Sequence, residues 1–323
     1  MATRLLHLLV GHQNEVKNLI NAFAEKRLHS TLLFVGPTGI GKKQVAFALS
    51  QTLLCRDNKE TFPEPCGRCA DCLRVATLKH ESMLVIEPQK NMIKIDQSRE
   101  VLDFLSLKAL GQKRIVVIDQ AQYMNPQAAN ALLKILEEPP EGTHFFLIAP
   151  AAQGMMQTIR SRSQIVRFRP LSVDEMKKKY KLPEWVFRAS QGSFQNLQML
   201  NEEEEQTVRA KAAHHLFELG RDSRLFLKDS WREIIRDRME AINIARYWSS
   251  FLRDAFIKKA GGEDVINVDQ VDLIHHLSSL DASVLSAVSE AVLQLEPALM
   301  ANRDPQLVFE DFWIRAHRLP GVQ

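Results

Sequence analysis

The chain has 323 residues, 45% of them hydrophobic and 25% charged, with a formal net charge of +3. That length allows two or three domains with real cores, and a charge so near neutrality leaves any nucleic-acid contact to local patches. The start Met1–Glu15 has an apolar run too short for a secretory signal and broken by His7, and no stretch approaches the roughly 20 apolar residues needed to cross a bilayer. A soluble protein of the cytoplasm is expected.

Residues 31–36 form a short apolar run ending in glycine, and Val45, Leu49 and Leu53 then recur at helical spacing. Between them Gly36-Pro37-Thr38-Gly39-Ile40-Gly41-Lys42-Lys43 fits the phosphate-loop pattern G-x-x-x-x-G-K-[S/T] at every position but the last. Such a loop wraps phosphates in backbone N–H groups at a helix N-terminus, and its hydroxyl residue holds magnesium. Gly36, Thr38, Gly39, Gly41 and Lys42 are therefore candidate nucleotide-binding residues, and Lys43 removes the magnesium ligand. Its ammonium either occupies the metal's place or points to solvent.

The four cysteines of the chain, Cys55, Cys66, Cys69 and Cys72, fall together in the spacing C-x10-C-x2-C-x2-C. Four thiolates so spaced suit tetrahedral Zn2+, and four protein ligands leave no open coordination position, so a structural zinc module is expected over 55–72. Cys55 lies in the last turn of the helix begun by the phosphate loop. The nearby His80 reads as a surface histidine outside the ligand set.

Further apolar runs at Met83–Ile86, Arg114–Ile118 and Phe145–Ala149 alternate with polar or helix-periodic stretches, which predicts an α/β domain with a mainly parallel sheet. The run Arg114–Ile118 leads into Asp119, the form of a Walker B strand whose carboxylate assists magnesium binding. ATPases of the AAA+ type place Glu next; here Gln120 cannot accept a proton from an attacking water. The hydroxyl at 43 and the carboxylate at 120 are thus missing together, which predicts that the chain does not hydrolyse ATP.

Strand-like runs stop near Phe168-Arg169-Pro170. Ser172-Val173-Asp174-Glu175 then forms a capping box, and breaks at Leu182-Pro183 and Gln191-Gly192-Ser193 divide 171–208 into short helices. From Val208 onward, apolar residues every three or four positions predict a helical bundle interrupted at Gly220, Gly261-Gly262 and Pro305. The division expected is 1–169, 170–208 and 209–323. The runs Lys177–Lys179 and Glu202–Glu205 read as solvated helix surface, and Trp185, Trp231, Trp248, Trp313 and Met155-Met156 as packing.

In this order the features resemble the AAA+ subunits of bacterial DNA polymerase III clamp loaders. Gly36–Lys42, the cysteine set, Ile95–Glu100, Asp119 and above all the run from Ala128 to Pro140 carry the resemblance, which covers the first 200 residues well. Ser161-Arg162-Ser163 looks like the family's Ser-Arg-Cys element with its cysteine replaced, and Asn302–Leu307 leading into Val308–Ile314 looks like its final collar helix. The resemblance implies an AAA+ P-loop domain with a parallel sheet, a small helical lid and an all-α collar through which five subunits form a ring. Each ATP then sits at a subunit boundary, and Arg162 would reach a neighbour's γ-phosphate as an arginine finger in trans. Implied partners are gamma/tau-type and delta-type subunits, the sliding clamp and primer-template DNA. Gln195 stands where ATP-hydrolysing subunits carry a sensor arginine, and Ala149-Pro150 where they carry a polar sensor. Three readings remain open: a non-hydrolysing ring subunit, an authentic motor with an unusual loop, and a zinc-stabilised nucleic-acid-binding module without ring partners.

Overall fold

The computed structural model describes residues 3–57, 63–106, 113–218, 235 and 237–318; the expected break at Gly220 and the side chain of Trp231 lie outside them. The strands are β1 (Thr31–Val35), β2 (Met83–Ile86), β3 (Arg114–Ile118), β4 (Thr143–Ala149) and β5 (Gln164–Arg167). They form one sheet in the order β2-β3-β4-β1-β5 with every pairing parallel, so the C-terminal ends of the strands share an edge. Four strands follow the apolar runs of the sequence. The fifth does not: Gln164–Arg167 holds only two apolar residues, because it is an edge strand whose residues are all at least partly exposed.

Helices cover both faces, which is why the central strands read as continuous apolar runs. The helices of this part are α1 (Leu5–Leu8), α2 (Gln13–Ala24), α3 (Lys42–Leu54), α4 (Ala70–Ala76), α5 (Ile95–Ser106), α6 (Pro126–Glu137) and α7 (Gln157–Arg160), followed after the last strand by α8 (Val173–Lys177). Successive strand residues point to opposite faces. Leu33, Val35, Val116, Ile118, Phe145 and Leu147 pack with Val101 and Leu105 of α5 and with Leu132 and Leu136 of α6. Leu32, Phe34, Ile115, Val117, Phe146 and Ile148 pack with Val16 and Leu19 of α2 and with Val45, Leu49 and Leu53 of α3.

The chain divides into two compact units, one of Met1–Tyr180 with Gln191–Gln195 and one of Lys181–Ser190 with Asn196–Gln323. Residues 170–208 are thus shared between them. After α8 come α9 (Glu184–Ala189), α10 (Phe194–Leu200), α11 (Glu203–Glu218), α12 (Arg238–Lys259), α13 (Val271–Ser279), α14 (Ala282–Leu293), α15 (Leu295–Met300) and α16 (Pro305–His317). In the second unit Trp248 of α12 meets the rings of Phe309, Phe312 and Trp313 of α16 at 5.1–5.6 Å between centroids. Pro305 opens a helix as well as ending one: it occupies the first turn of α16, where no N–H is needed, and Asp304 caps that turn by accepting from Leu307 N at 3.1 Å. Glu205 is not merely solvated surface, since it accepts from Tyr247 Oη at 2.6 Å and Asn243 Nδ2 at 3.1 Å. No helix among the described residues is long and apolar enough to cross a membrane.

Candidate functional site

The phosphate loop leaves β1 at Val35 and enters α3 at Lys42, at the sheet edge where open α/β folds bind ligands. Two of its glycines are required by close approach. A Cβ on Gly36 would lie 2.3 Å from the Phe168 carbonyl oxygen, and one on Gly39, at φ +76°, would lie 2.3 Å from Ser193 Oγ and 2.7 Å from Gln195 Cβ. Gly39 also accepts a hydrogen bond from Phe194 N at 2.8 Å, so the segment 191–195 sits directly on the loop. Gln195, which lies against Gly39, brings no charge there.

The N–H groups of Gly39, Ile40 and Gly41 find no acceptor among the described residues, which leaves an anion cradle beside the α3 N-terminus. Lys42 is buried beneath it, donating from Nζ to the carbonyls of Gly36 at 2.5 Å and Pro37 at 2.6 Å. Burial pulls its pKa down to about 8 against the attraction of Asp119. No motif points to His12, whose buried ring braces the loop from behind: Nε2 lies 2.8 Å from the Ile40 carbonyl, which can only accept, so the proton sits on Nε2.

Asp119 follows β3 and an acidic residue not singled out by its sequence, Glu87, follows β2. Asp119 N donates to the Ile86 carbonyl at 2.9 Å, which sets the two carboxylates side by side. Their shared form, an apolar strand ending in an acid, was the available signal. Lys43 reaches between them, pairing with Glu87 and lying 3.1 Å from Asp119 Oδ2. Burial opposes its charge, but the two carboxylates prevail and raise its pKa. Lys43 therefore points into the carboxylates rather than to solvent. Asp119 Oδ1 in turn accepts from Gln120 N at 2.9 Å. Magnesium does not fit this donor set: the hydroxyl ligand is missing and both Asp119 oxygens are engaged. Gln120 is exposed at φ 50°, and Ala149 offers no polar group at the end of β4.

The four cysteines do converge. Their Sγ atoms all lie within 4.8 Å of one another, with Cys55–Cys69 at 4.0 Å and Cys66–Cys72 at 3.9 Å. These separations exclude disulfides, whose sulfurs lie about 2.05 Å apart, and match the roughly 3.8 Å edge of a tetrahedron with metal–sulfur bonds of about 2.3 Å. Cys55 caps the end of α3 and Cys69 the start of α4, its sulfur accepting from Cys72 N at 3.4 Å. Burial pushes the Cys55 and Cys72 thiols up, so their thiolates call for a neighbouring cation. The cluster can hold one metal ion. His80 is not on the surface: it is buried, with Nε2 3.4 Å from Asp71 Oδ1, and Asp71 also pairs with Arg56 at 2.6 Å. Ser82 N donates to His80 Nδ1 at 3.0 Å, which leaves the proton on Nε2 facing Asp71. That shell orients α4 and contributes no sulfur-like ligand.

Arg162 lies in the turn between α7 and β5. Its Nη1 donates to the Thr158 carbonyl at 2.9 Å and its Nη2 pairs with Glu137 at the end of α6. Its polar partners thus come from α6, α7 and the adjacent Ser161, not from the phosphate loop. Ser163, at the cysteine position of the motif, spends its hydroxyl on the Ile159 carbonyl at 2.8 Å.

The profile of the family described as DNA polymerase III, delta subunit matches residues 11–172, half of the chain. The chain belongs to this family. It is 27% identical over 310 residues to the DNA polymerase III subunit delta' of Bacillus subtilis, covering 91% of this chain and 93% of that protein. It is 38% identical over 137 residues to the subunit delta' of Pseudomonas aeruginosa, covering 42% of this chain and 41% of that one. A third relative, subunit tau/gamma of Haemophilus influenzae, is 31% identical over 168 residues, covering 52% of this chain but 24% of its own length. The matched span contains the whole sheet, the loop, the cysteines and Arg162.

Proposed function

We propose that this chain is the non-hydrolysing, delta-prime-type subunit of a DNA polymerase III clamp loader. It completes a neighbouring subunit's ATP site with Arg162 and helps load the sliding clamp onto primed DNA in the cytoplasm. One observation carries the reading: the Walker B carboxylate of Asp119 is taken up by Lys43 and by Gln120 N, so a magnesium-dependent hydrolysis centre has neither its metal ligands nor, at Gln120, its base. A half-buried guanidinium whose polar partners among the described residues are Glu137 of α6, the Thr158 carbonyl of α7 and Ser161 Oγ suits transfer to a partner's phosphate, for which its planar fork is well matched. Ring partners of the gamma/tau and delta types, five subunits in all, belong to the same proposal. So does zinc on Cys55, Cys66, Cys69 and Cys72, where it would clamp the α3 end to the α4 start and do no chemistry.

Steady-state ATP hydrolysis by the purified chain, alone and mixed with motor and opener subunits, tests this. The expectation is no turnover alone and turnover by the assembled ring. Robust turnover by the chain alone, abolished by Lys42→Ala, would make it a motor instead.

A further inference from the structure

The phosphate cradle and the metal position have separate fates in this chain. The loop keeps its glycines, its buried Lys42 and N–H groups at Gly39, Ile40 and Gly41 that find no acceptor among the described residues. The metal position is taken by a side chain of the protein itself. Lys42 and Lys43 carry two positive charges and Glu87 and Asp119 two negative ones, so the four groups are neutral together. A divalent ion would have to displace the Lys43 ammonium from Asp119 Oδ2 at 3.1 Å and then coordinate without a hydroxyl ligand. A polyphosphate need not displace Lys43: it meets the backbone N–H groups and the Lys42 ammonium, while Lys43 offsets the charge of Glu87 and Asp119.

We propose that Lys43 is a tethered cation standing in for magnesium, so that this loop takes the polyphosphate of a nucleoside di- or triphosphate in metal-free form. The proposal rests on the non-hydrolysing reading and adds a ligand class to it. Bound nucleotide would then act as a fixed anion that orders the loop beneath residues 191–195, and magnesium would be irrelevant to its affinity. The raised pKa of Lys43 agrees with this, since the ammonium stays charged between its carboxylates at neutral pH. Phe47, one turn along α3, has its ring centroid 5.9 Å from the same ammonium.

The test is a fluorescence titration of the full chain with mant-ADP, in EDTA and in excess magnesium, for the wild type, Lys43→Thr and Lys43→Arg. A parallel titration reads Mn2+ by electron paramagnetic resonance, and phosphate release from ATP is followed on the same samples. The wild type and Lys43→Arg should bind mant-ADP equally well, within about twofold, with and without magnesium, and hold no Mn2+ in the loop. Lys43→Thr restores a hydroxyl and frees a carboxylate, so its affinity should rise about tenfold or more when magnesium is added. Magnesium-dependent binding by the wild type, Mn2+ held beside its nucleotide, magnesium-indifferent binding by Lys43→Thr, or no wild-type binding in either buffer would each overturn the proposal. Phosphate release by the wild type would instead refute the non-hydrolysing reading, so the two failures are told apart. Should Lys43→Thr fold poorly, the wild-type comparison and the Mn2+ signal decide alone.

Discussion

Replacing Arg162 with Ala separates a structural arginine from one that acts on a partner. Among the described residues the side chain has one ion pair, to Glu137, with the two groups 29% and 50% exposed, and bonds to the Thr158 carbonyl and Ser161 Oγ. A pair as exposed as this contributes about 0–1 kcal/mol, because water and salt screen it. The substitution should therefore lower the melting temperature by no more than about 4 °C. In the assembled ring the same residue would stabilise charge on a transferring phosphoryl group. Fingers of that kind contribute about 10³–10⁵ in rate, which is about 4–7 kcal/mol of barrier. The two expectations differ by several kcal/mol, so unfolding cannot imitate loss of the finger. Thermal melts of the isolated chain and steady-state ATP turnover by the ring, with clamp and primed DNA, measure them side by side. Arg162→Lys keeps the charge and loses the planar fork, and should fall between wild type and Ala. Turnover by the Arg162→Ala ring within about twofold of wild type would refute the trans-finger argument.

Cys69→Ser should take zinc from about one per chain to none and speed amide exchange in α4 and at the C-terminal end of α3, where Cys55, Cys69 and Cys72 lie; a wild-type protein purified without chelators and found free of zinc would overturn the site. Arg209→Ala should cost the second unit about 3 kcal/mol, because its buried guanidinium bonds both Asp269 oxygens at 2.8 Å and lies 3.7 Å from the Trp185 ring; a loss below about 1 kcal/mol in urea unfolding would contradict this. His144 and His215 have pKa values lowered to about 4 by burial. Both are neutral in the folded chain, so their contribution is complete above the unfolded value of about 6.5 and declines as pH falls toward 4. His144→Gln should flatten the fall in stability across that window, and an unchanged pH profile would mean that His144 is not the group responsible.

The phosphate loop was legible because its chemistry and its geometry use the same residues, glycines and one lysine in a run of eight. The cysteines were legible for the same reason: close spacing, few thiols, one ion's worth of sulfur. What escaped was adjacency between strands. Periodicity identifies Met83–Ile86 as a strand but does not say that it lies beside Arg114–Ile118, so Glu87 was not seen as the partner of Lys43 and Asp119. His80 was misplaced at the surface because the buried carboxylate that accommodates it, Asp71, lies in α4, while His80 follows that helix in the connection to β2, where no periodicity shows burial. Arg162 was found through a motif alone. Glu137, which holds it, stands 25 positions earlier at the end of α6, and no local pattern links the two.

The proposed non-hydrolysing role gives a phosphate loop no obvious use, yet the contacts around this one explain which parts remain. Gly36 and Gly39 face the Phe168 carbonyl, Ser193 and Gln195 at distances no side chain could tolerate, and Gly39 receives the Phe194 N–H. Lys42 ties the Gly36 and Pro37 carbonyls together from below. These residues form the joint on which 191–195 rests within the first unit, so any larger side chain there would disturb the fold whether or not nucleotide is ever bound. Positions 43 and 120 lack such a duty. A hydroxyl at 43 and a carboxylate at 120 serve only metal and water, and the backbone around Asp119 closes as well with Lys43 and Gln120 in their place. The pattern of what is kept and what is lost in the loop thus follows the line between packing and hydrolysis.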